Sequence, residues 1–139
     1  MTHEMYKALI ASFCEVAGLQ DVERVQATGA LVIDGLEVAL AYNSSLTPDV
    51  VHIGVDLGTV PEDQEHRAYR TWLEINLIMS RWQSGQIGID SSNGHATFSL
   101  AMALTTHTTG QDLAVTLDHA IEQAQRLREA VNFTNECPA

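Results

Sequence analysis

Residues 61–82 read PEDQEHRAYRTWLEINLIMSRW, and their pattern constrains the architecture more than any other part of the chain. Pro61 followed by acidic residues is typical of the first turn of a helix. At about 100° per residue this helix has two apolar faces, whereas an amphipathic surface helix needs one. The first face holds Tyr69, Trp72, Leu73, Asn76, Leu77 and Ser80, and the second holds Ile75, Ile78, Met79 and Trp82. We expect the second face to pack against another subunit, because a chain this short has one core to cover.

The composition indicates one small acidic domain. The chain has 139 residues, of which 45% are hydrophobic, and this suits a single core. Asp and Glu outnumber Lys and Arg by 18 to 7, and no basic stripe is available for nucleic acid or for an anionic membrane surface. No apolar run reaches the roughly 18 residues that span a bilayer, and the N-terminus makes a poor signal peptide. We therefore expect a cytosolic protein with no nucleic-acid partner and no membrane insertion.

The segments before the central helix predict one helix and three strands. Apolar residues recur every three or four positions over residues 2–17, and Gly18 is well placed to end that helix. Asp34-Gly35 between two alternating segments is a strong hairpin signal. A third alternating segment, residues 51–57, completes an antiparallel meander with one buried face.

The segments after the central helix predict two strands and a last helix. Residues 86–89 and 95–105 alternate on either side of a turn that contains Gly94. Thr109-Gly-Gln-Asp112 resembles a capping box, and the apolar face of the helix that follows it ends at Val131. We predict a single α+β domain over residues 1–132, of order α-β-β-β-α-β-β-α, with helices packed on an antiparallel sheet. Residues 133–139 form a polar tail.

The sequence carries no local signature of catalysis, nucleotide binding or metal binding. The P-loop, GxGxxG, GxSxG and HExxH patterns are absent, and the six histidines are widely spaced. Cys14 and Cys137 are too few and too distant for a disulfide framework or a metal knuckle, so we expect one packed thiol and one tail thiol. Asn76, on an apolar face, predicts a buried amide that fixes packing or dimer register. We predict no catalytic residue, no cofactor and no metal.

Several stretches share their order and pattern with a known family. They are Leu31-Val-Ile-Asp-Gly35, Asp56-Leu-Gly-Thr-Val-Pro61, Trp72-Leu-Glu-Ile-Asn-Leu77 and the Phe98-Ser-Leu100 strand. With the terminal helix they cover about residues 3–131 and resemble the class I type III secretion chaperones of the Tir-chaperone (CesT-like) family. The resemblance implies an acidic cytosolic homodimer of a Gram-negative bacterium. Such a protein holds the N-terminal segment of a secreted effector extended and delivers it to the secretion apparatus without ATP.

The predicted interaction residues follow from the central helix and from the resemblance. The second face of the helix predicts a dimer interface of Ile75, Ile78, Met79 and Trp82. The family binds effectors through apolar grooves and by strand addition to a sheet edge, and such a groove would form where the first helix meets the sheet. The effector-binding candidates are Phe13, Leu36, Val38, Leu40 and the loop residue Leu46. For Phe13 and each strand residue taken singly, ordinary core packing is the simpler interpretation.

Two alternative functions remain open. A YbjN-like regulatory or stress-response domain could share this architecture without meeting a secretion substrate. A small enzyme could assemble a histidine and a carboxylate in a pocket, although the predicted strands place their polar residues outward. A neighbouring gene for a secretion component would favour the chaperone.

Overall fold

The chain alternates helices and strands in the predicted order, with one additional helix. The computed structural model describes the backbone of residues 2–82 and 84–136 and the side chains of residues 3–82 and 84–131. The elements are α1 (Thr2–Ala17), α2 (Val22–Thr28), β1 (Ala30–Ile33), β2 (Leu36–Ala41), β3 (Val50–Gly58), a 3-10 turn (Glu62–Gln64), α3 (Glu65–Arg81), β4 (Gln86–Ile89), β5 (Ala96–Ala103) and α4 (Gly110–Glu136). The predicted α+β class is confirmed.

The strands form a single antiparallel sheet in the order β1-β2-β3-β5-β4. Asp34 and Gly35 have φ values of 52° and 79°, and two successive positive φ angles are what a tight two-residue hairpin turn requires. This turn pairs Ile33 with Leu36, so the predicted hairpin is confirmed. The edges of the sheet are β1, beside α2, and β4, beside α3.

The helices cover one face of the sheet. Leu36, Val38 and Leu40 of β2 are buried while the residues between them are exposed. In β3 buried residues alternate with half-buried or exposed ones. The long helix α4 packs on β3 and β5, and α1 packs along α4. We call the opposite face, which includes Glu37 and Gly54, the outer face. The core therefore lies between one face of the sheet and the helices α1, α3 and α4.

The end of α1 follows the prediction. Gly18 has a φ of 73°, the Leu19 N–H donates to the carbonyl of Cys14 at 2.8 Å, and the Gly18 N–H donates to that of Glu15 at 3.4 Å. This is the Schellman arrangement, which satisfies the last carbonyls of a helix. Cys14 is fully buried, and burial raises the pKa of its thiol more than the charge of Arg24 lowers it. Cys137 lies outside the described residues.

One helix and two helix boundaries differ from the sequence prediction. The helix α2 was not predicted, because seven residues are too few to display a helical period. The segment after Pro61 begins as a 3-10 turn, and α3 itself starts at Glu65. The helix α4 continues to Glu136, so the beginning of the predicted tail at residues 133–139 is helical. Residues 137–139 lie outside the described part of the chain.

Candidate protein-binding surfaces

An apolar groove lies between the C-terminal half of α1, the helix α2, the edge strand β1 and the start of α4. Its volume is about 730 Å³. The apolar side chains that line it are Phe13, Val16, Ala17, Leu19, Val25, Leu31, Val32, Ile33, Ala114 and Leu117. Val16 and Leu19 are 49% and 40% exposed, so this groove presents apolar surface to a partner.

A glycine fixes α2 as one wall of the groove. Gly29 has a φ of 68°, and its N–H donates to the carbonyl of Val25 at 2.8 Å. Its own carbonyl accepts the Leu40 N–H at 2.8 Å, which ties the end of α2 to β2. A Cβ at this position would overlap the carbonyl oxygen of Leu40. Only glycine allows both the left-handed conformation and this close approach.

The strand β1 offers a backbone edge beside the groove. The outward N–H and C=O of Ala30 are satisfied by Thr28 at 3.2 Å and by Arg24 at 3.1 Å. Val32 alternates with the residues that hydrogen-bond to β2, so its N–H and C=O also point outward. They have no hydrogen-bond partner among the described residues, and the Val32 side chain is 70% exposed. This edge can therefore accept an added strand.

The structure separates the residues predicted to bind an effector. Phe13 lies in the floor of the groove but is only 4% exposed. Leu36, Val38 and Leu40 are buried in the core, because their side of β2 faces the helices, as the simpler interpretation of these residues expects. Their role in effector binding stays a prediction. Leu46 is 78% exposed, but its loop is at the opposite end of β2 from the Asp34-Gly35 turn. Sequence reasoning missed Val16, Leu19 and Val25, since the short α2 that completes the groove was not predicted.

The inward side of α3 combines residues from both predicted apolar faces. Ala68, Trp72 and Met79 are buried, and Ile75 packs against the same core. The Trp72 Nε1–H donates to the carbonyl of Leu127 in α4 at 2.9 Å. The core-facing arc is therefore centred between the two predicted faces. Of the predicted dimer interface, Ile75 and Met79 face the core of their own subunit.

The outward side of α3 and the edge strand β4 carry exposed apolar side chains. These are Leu73 (67% exposed), Leu77 (56%), Ile78 (55%) and Trp82 (79%) of the helix and its end, and Ile89 (49%) of β4. We call these five residues the α3–β4 surface. A hollow of about 310 Å³ lies between the two elements, lined by Tyr69, Trp72, Leu73, Ile87, Gly88 and Ile89. Leu73 and Ile89 line this hollow, whereas Leu77, Ile78 and Trp82 lie outside it. Large exposed apolar side chains in this number make α3 and β4 a candidate interaction site.

Asn76 ties α3 to the edge strand β4. Its Oδ1 accepts the N–H of Ile87 at 2.9 Å, and the amide is half-buried. The amide thus fixes packing within the subunit, which is one of the two roles that the sequence predicted for it. Its role in dimer register stays a prediction.

Replacing Asn76 with Ala should destabilise the fold by about 1–2 kcal/mol, because the Ile87 N–H loses its acceptor at a partly buried site. Urea unfolding followed by circular dichroism measures this loss. The matched control is Ser80→Ala on the exposed side of the same helix, which should cost less than about 0.5 kcal/mol. Equal losses in the two variants would show that Asn76 does not anchor β4.

A histidine–carboxylate pair, the combination of side chains that the enzyme hypothesis requires, lies at the end of β3. The His95 Nδ1 is 2.8 Å from the Asp56 Oδ2. The Asp56 Oδ1 also accepts the Gly58 N–H at 2.7 Å, where the β3–β5 register shifts. These contacts hold a strand bulge in place. In residues 2–82 and 84–136, no three or more His, Cys, Asp or Glu side chains are grouped to bind a metal, and no helix is long and apolar enough to cross a membrane.

Comparison with known proteins identifies both the family and the fold. Residues 9–128 match the family described as the Tir chaperone protein (CesT) family. The ExsC–ExsE complex is similar at 18% identity over 91% of this chain and 92% of that chain, with a TM-score of 0.69. The HopA1–SchA chaperone–effector complex is similar at 15% identity over 93% and 97%, with a TM-score of 0.70. The ExoT–SpcS complex from Pseudomonas aeruginosa is similar at 17% identity over 88% and 96%, with a TM-score of 0.62. No curated protein sequence gives a match.

Proposed function

Because the chain belongs to the Tir chaperone protein (CesT) family, we propose that it is a type III secretion chaperone that keeps the N-terminal segment of an effector extended. The observation that carries the proposal is the apolar groove beside the open edge of β1, in a fold shared with a chaperone–effector complex. An extended segment places alternate apolar side chains in the groove while its backbone pairs with Val32. Such binding needs neither ATP nor catalysis, and it takes place in the cytosol of a Gram-negative bacterium before delivery to the secretion apparatus.

The proposed chaperone is a homodimer that pairs through the α3–β4 surface. Burial of one exposed apolar side chain contributes roughly 1.5–3 kcal/mol, and this surface offers five such side chains per subunit. The net charge of −11 on each subunit opposes pairing. Exposed charges are screened beyond about 8–10 Å at physiological ionic strength, so the apolar contribution is the larger one.

The two alternative functions have less support. The family match is to chaperones and covers residues 9–128, so it does not favour a YbjN-like regulatory domain. For the enzyme alternative, the structure brings His95 and Asp56 together, but their contacts account for a bulge in the sheet. The chaperone is therefore the function that we put to the test.

Affinity capture of a secreted client from lysate of the native host tests the proposal. Leu19→Asp should lower the recovered client at least tenfold, because loss of one buried leucine contact costs roughly 1.5–3 kcal/mol. Thr106→Asp, in the exposed connection between β5 and α4, is the matched control and should leave recovery unchanged. The wild-type protein should retain its client when ATP is removed. Failure to recover any secreted protein, or equal recovery with Leu19→Asp, would contradict the proposal.

A further inference from the structure

The outer face of the sheet carries a second concave surface, which we call the outer hollow. Its volume is about 460 Å³. One row across the strands consists of short side chains, because Ala30 pairs with Ala39 and Ala39 pairs with Gly54. Without bulky side chains in this row, another backbone can lie close to the sheet. The hollow is therefore shaped for an extended chain.

The neighbouring row of the outer hollow is acidic. Continuing the β2–β3 register from Val38 and Val55 places Glu37 beside Asp56. Like charges at adjacent positions of a sheet repel each other. Asp56 faces His95, whereas Glu37 has no ion-pair partner among the described residues. The hollow thus holds negative charge that a cation can neutralise.

Two further charged residues line the outer hollow without removing this excess. Asp90 is exposed, and hydrogen bonds from the Ser92 side chain and backbone hold the pKa of its carboxyl below the usual range. The Arg24 guanidinium donates to the Ala30 carbonyl at 3.1 Å and lies 3.7 Å from the carboxylate of Asp21. Arg24 itself lines the hollow, so three carboxylates (Glu37, Asp56 and Asp90) face one guanidinium there, and the excess charge stays negative.

The outer hollow is continuous with the apolar groove. Arg24, Leu31 and Val32 line both surfaces, so the two meet at the edge of β1. A chain that leaves the groove across Val32 enters the outer hollow directly. One bound segment can therefore contact both surfaces.

We propose that the client segment crosses the edge of β1 and places lysine or arginine residues beside Glu37 and Asp56 in the outer hollow. The inference rests on the proposed function and specifies the chemistry of the client: apolar residues for the groove, followed by basic residues. Charge complementarity supports it, since acidic residues outnumber basic ones by 18 to 7 in this chain. The groove supplies affinity, and the outer hollow selects among apolar segments by their charge.

Two synthetic peptides of equal length test the inference with the purified full chain. Both begin with a block of alternating leucine and serine; the second block alternates lysine with threonine in one peptide and glutamine with threonine in the other. Fluorescence anisotropy should show about tenfold tighter binding of the lysine peptide at low salt, because each exposed ion pair contributes a factor of roughly 1.5 to 5. The ratio of the two dissociation constants should fall toward one at high salt. Amide chemical shifts should move at Ala39 and Gly54 with the lysine peptide.

A pair of charge-reversal variants separates the outer hollow from general attraction to an acidic protein. Glu37→Lys should bring the two peptides within twofold of each other. Asp49→Lys makes the same change of charge before the start of β3, at the end away from Asp56, and should preserve most of the preference. Equal binding of the two peptides by the wild-type protein would overturn the inference. So would an equal loss of the preference for the lysine peptide in Glu37→Lys and Asp49→Lys. Failure of both peptides to bind would also overturn it, whereas capture of a secreted client would still uphold the proposed function.

Discussion

Ile78→Asp is expected to convert the protein from a dimer into a monomer of 15.2 kDa. Ile78 is 55% exposed in the isolated subunit, so the change leaves the core of that subunit intact. In a dimer formed through the α3–β4 surface, the carboxylate would be buried without a partner, and this costs several kcal/mol in each subunit. Sedimentation equilibrium or light scattering measures the mass directly.

The control for this variant is Arg67→Asp, which adds an acidic residue on an exposed side of α3 outside the α3–β4 surface. It should keep the mass of the wild-type protein. If Ile78→Asp still sediments at twice the subunit mass, the interface lies elsewhere. A wild-type protein that sediments as a single subunit would remove the proposed dimer altogether.

Gly29→Ala is expected to destabilise the fold by about 2–4 kcal/mol. A non-glycine residue in the left-handed region costs roughly 1–2 kcal/mol, and the overlap of its Cβ with the Leu40 carbonyl adds a further packing penalty. The strain falls on the contact that holds α2 against β2, so binding of the client in the groove should weaken as well. Urea unfolding gives the stability, and the capture assay gives the binding.

Gly18→Ala is the matched control for Gly29→Ala. The two glycines have nearly the same φ, 73° and 68°, but no atom lies within 4 Å of a Cβ built on Gly18. The control should therefore cost roughly 1 kcal/mol, which is the conformational part alone. An equal loss of stability in the two variants would mean that the backbone at Leu40 moves away from the new Cβ at little energetic cost.

Much of the fold was predictable because its signals are local. The Asp34-Gly35 turn, the alternation of β2 and β3, and the glycine that ends α1 all act within a few residues. The predicted family is also confirmed, since residues 9–128 match it. The helix α2 escaped prediction because its stability depends on Val25 entering the core rather than on its own seven residues.

The candidate binding surfaces were predictable only in part. The surplus of apolar residues on the central helix was visible, and Ile78 and Trp82 are indeed exposed. The sequence did not predict which side of α3 faces the core, because the apolar residues of both faces recur at helical spacing. Contact with α4 decides it, through a hydrogen bond between Trp72 and Leu127 that spans 55 positions of sequence.

The sequence by itself determined the type and order of every element except α2, together with the hairpin turn, the acidity and the excess of apolar surface, since these depend on residues close together in the chain. The tertiary structure alone decided which apolar side chains remain exposed, which strands form the edges, and that the groove and the outer hollow meet at Val32. The physical reason is that the exposure of a side chain depends on which distant segments of the chain pack against it. An amphipathic pattern predicts that one face of a helix is buried, but the fold of the whole chain decides which element packs against that face.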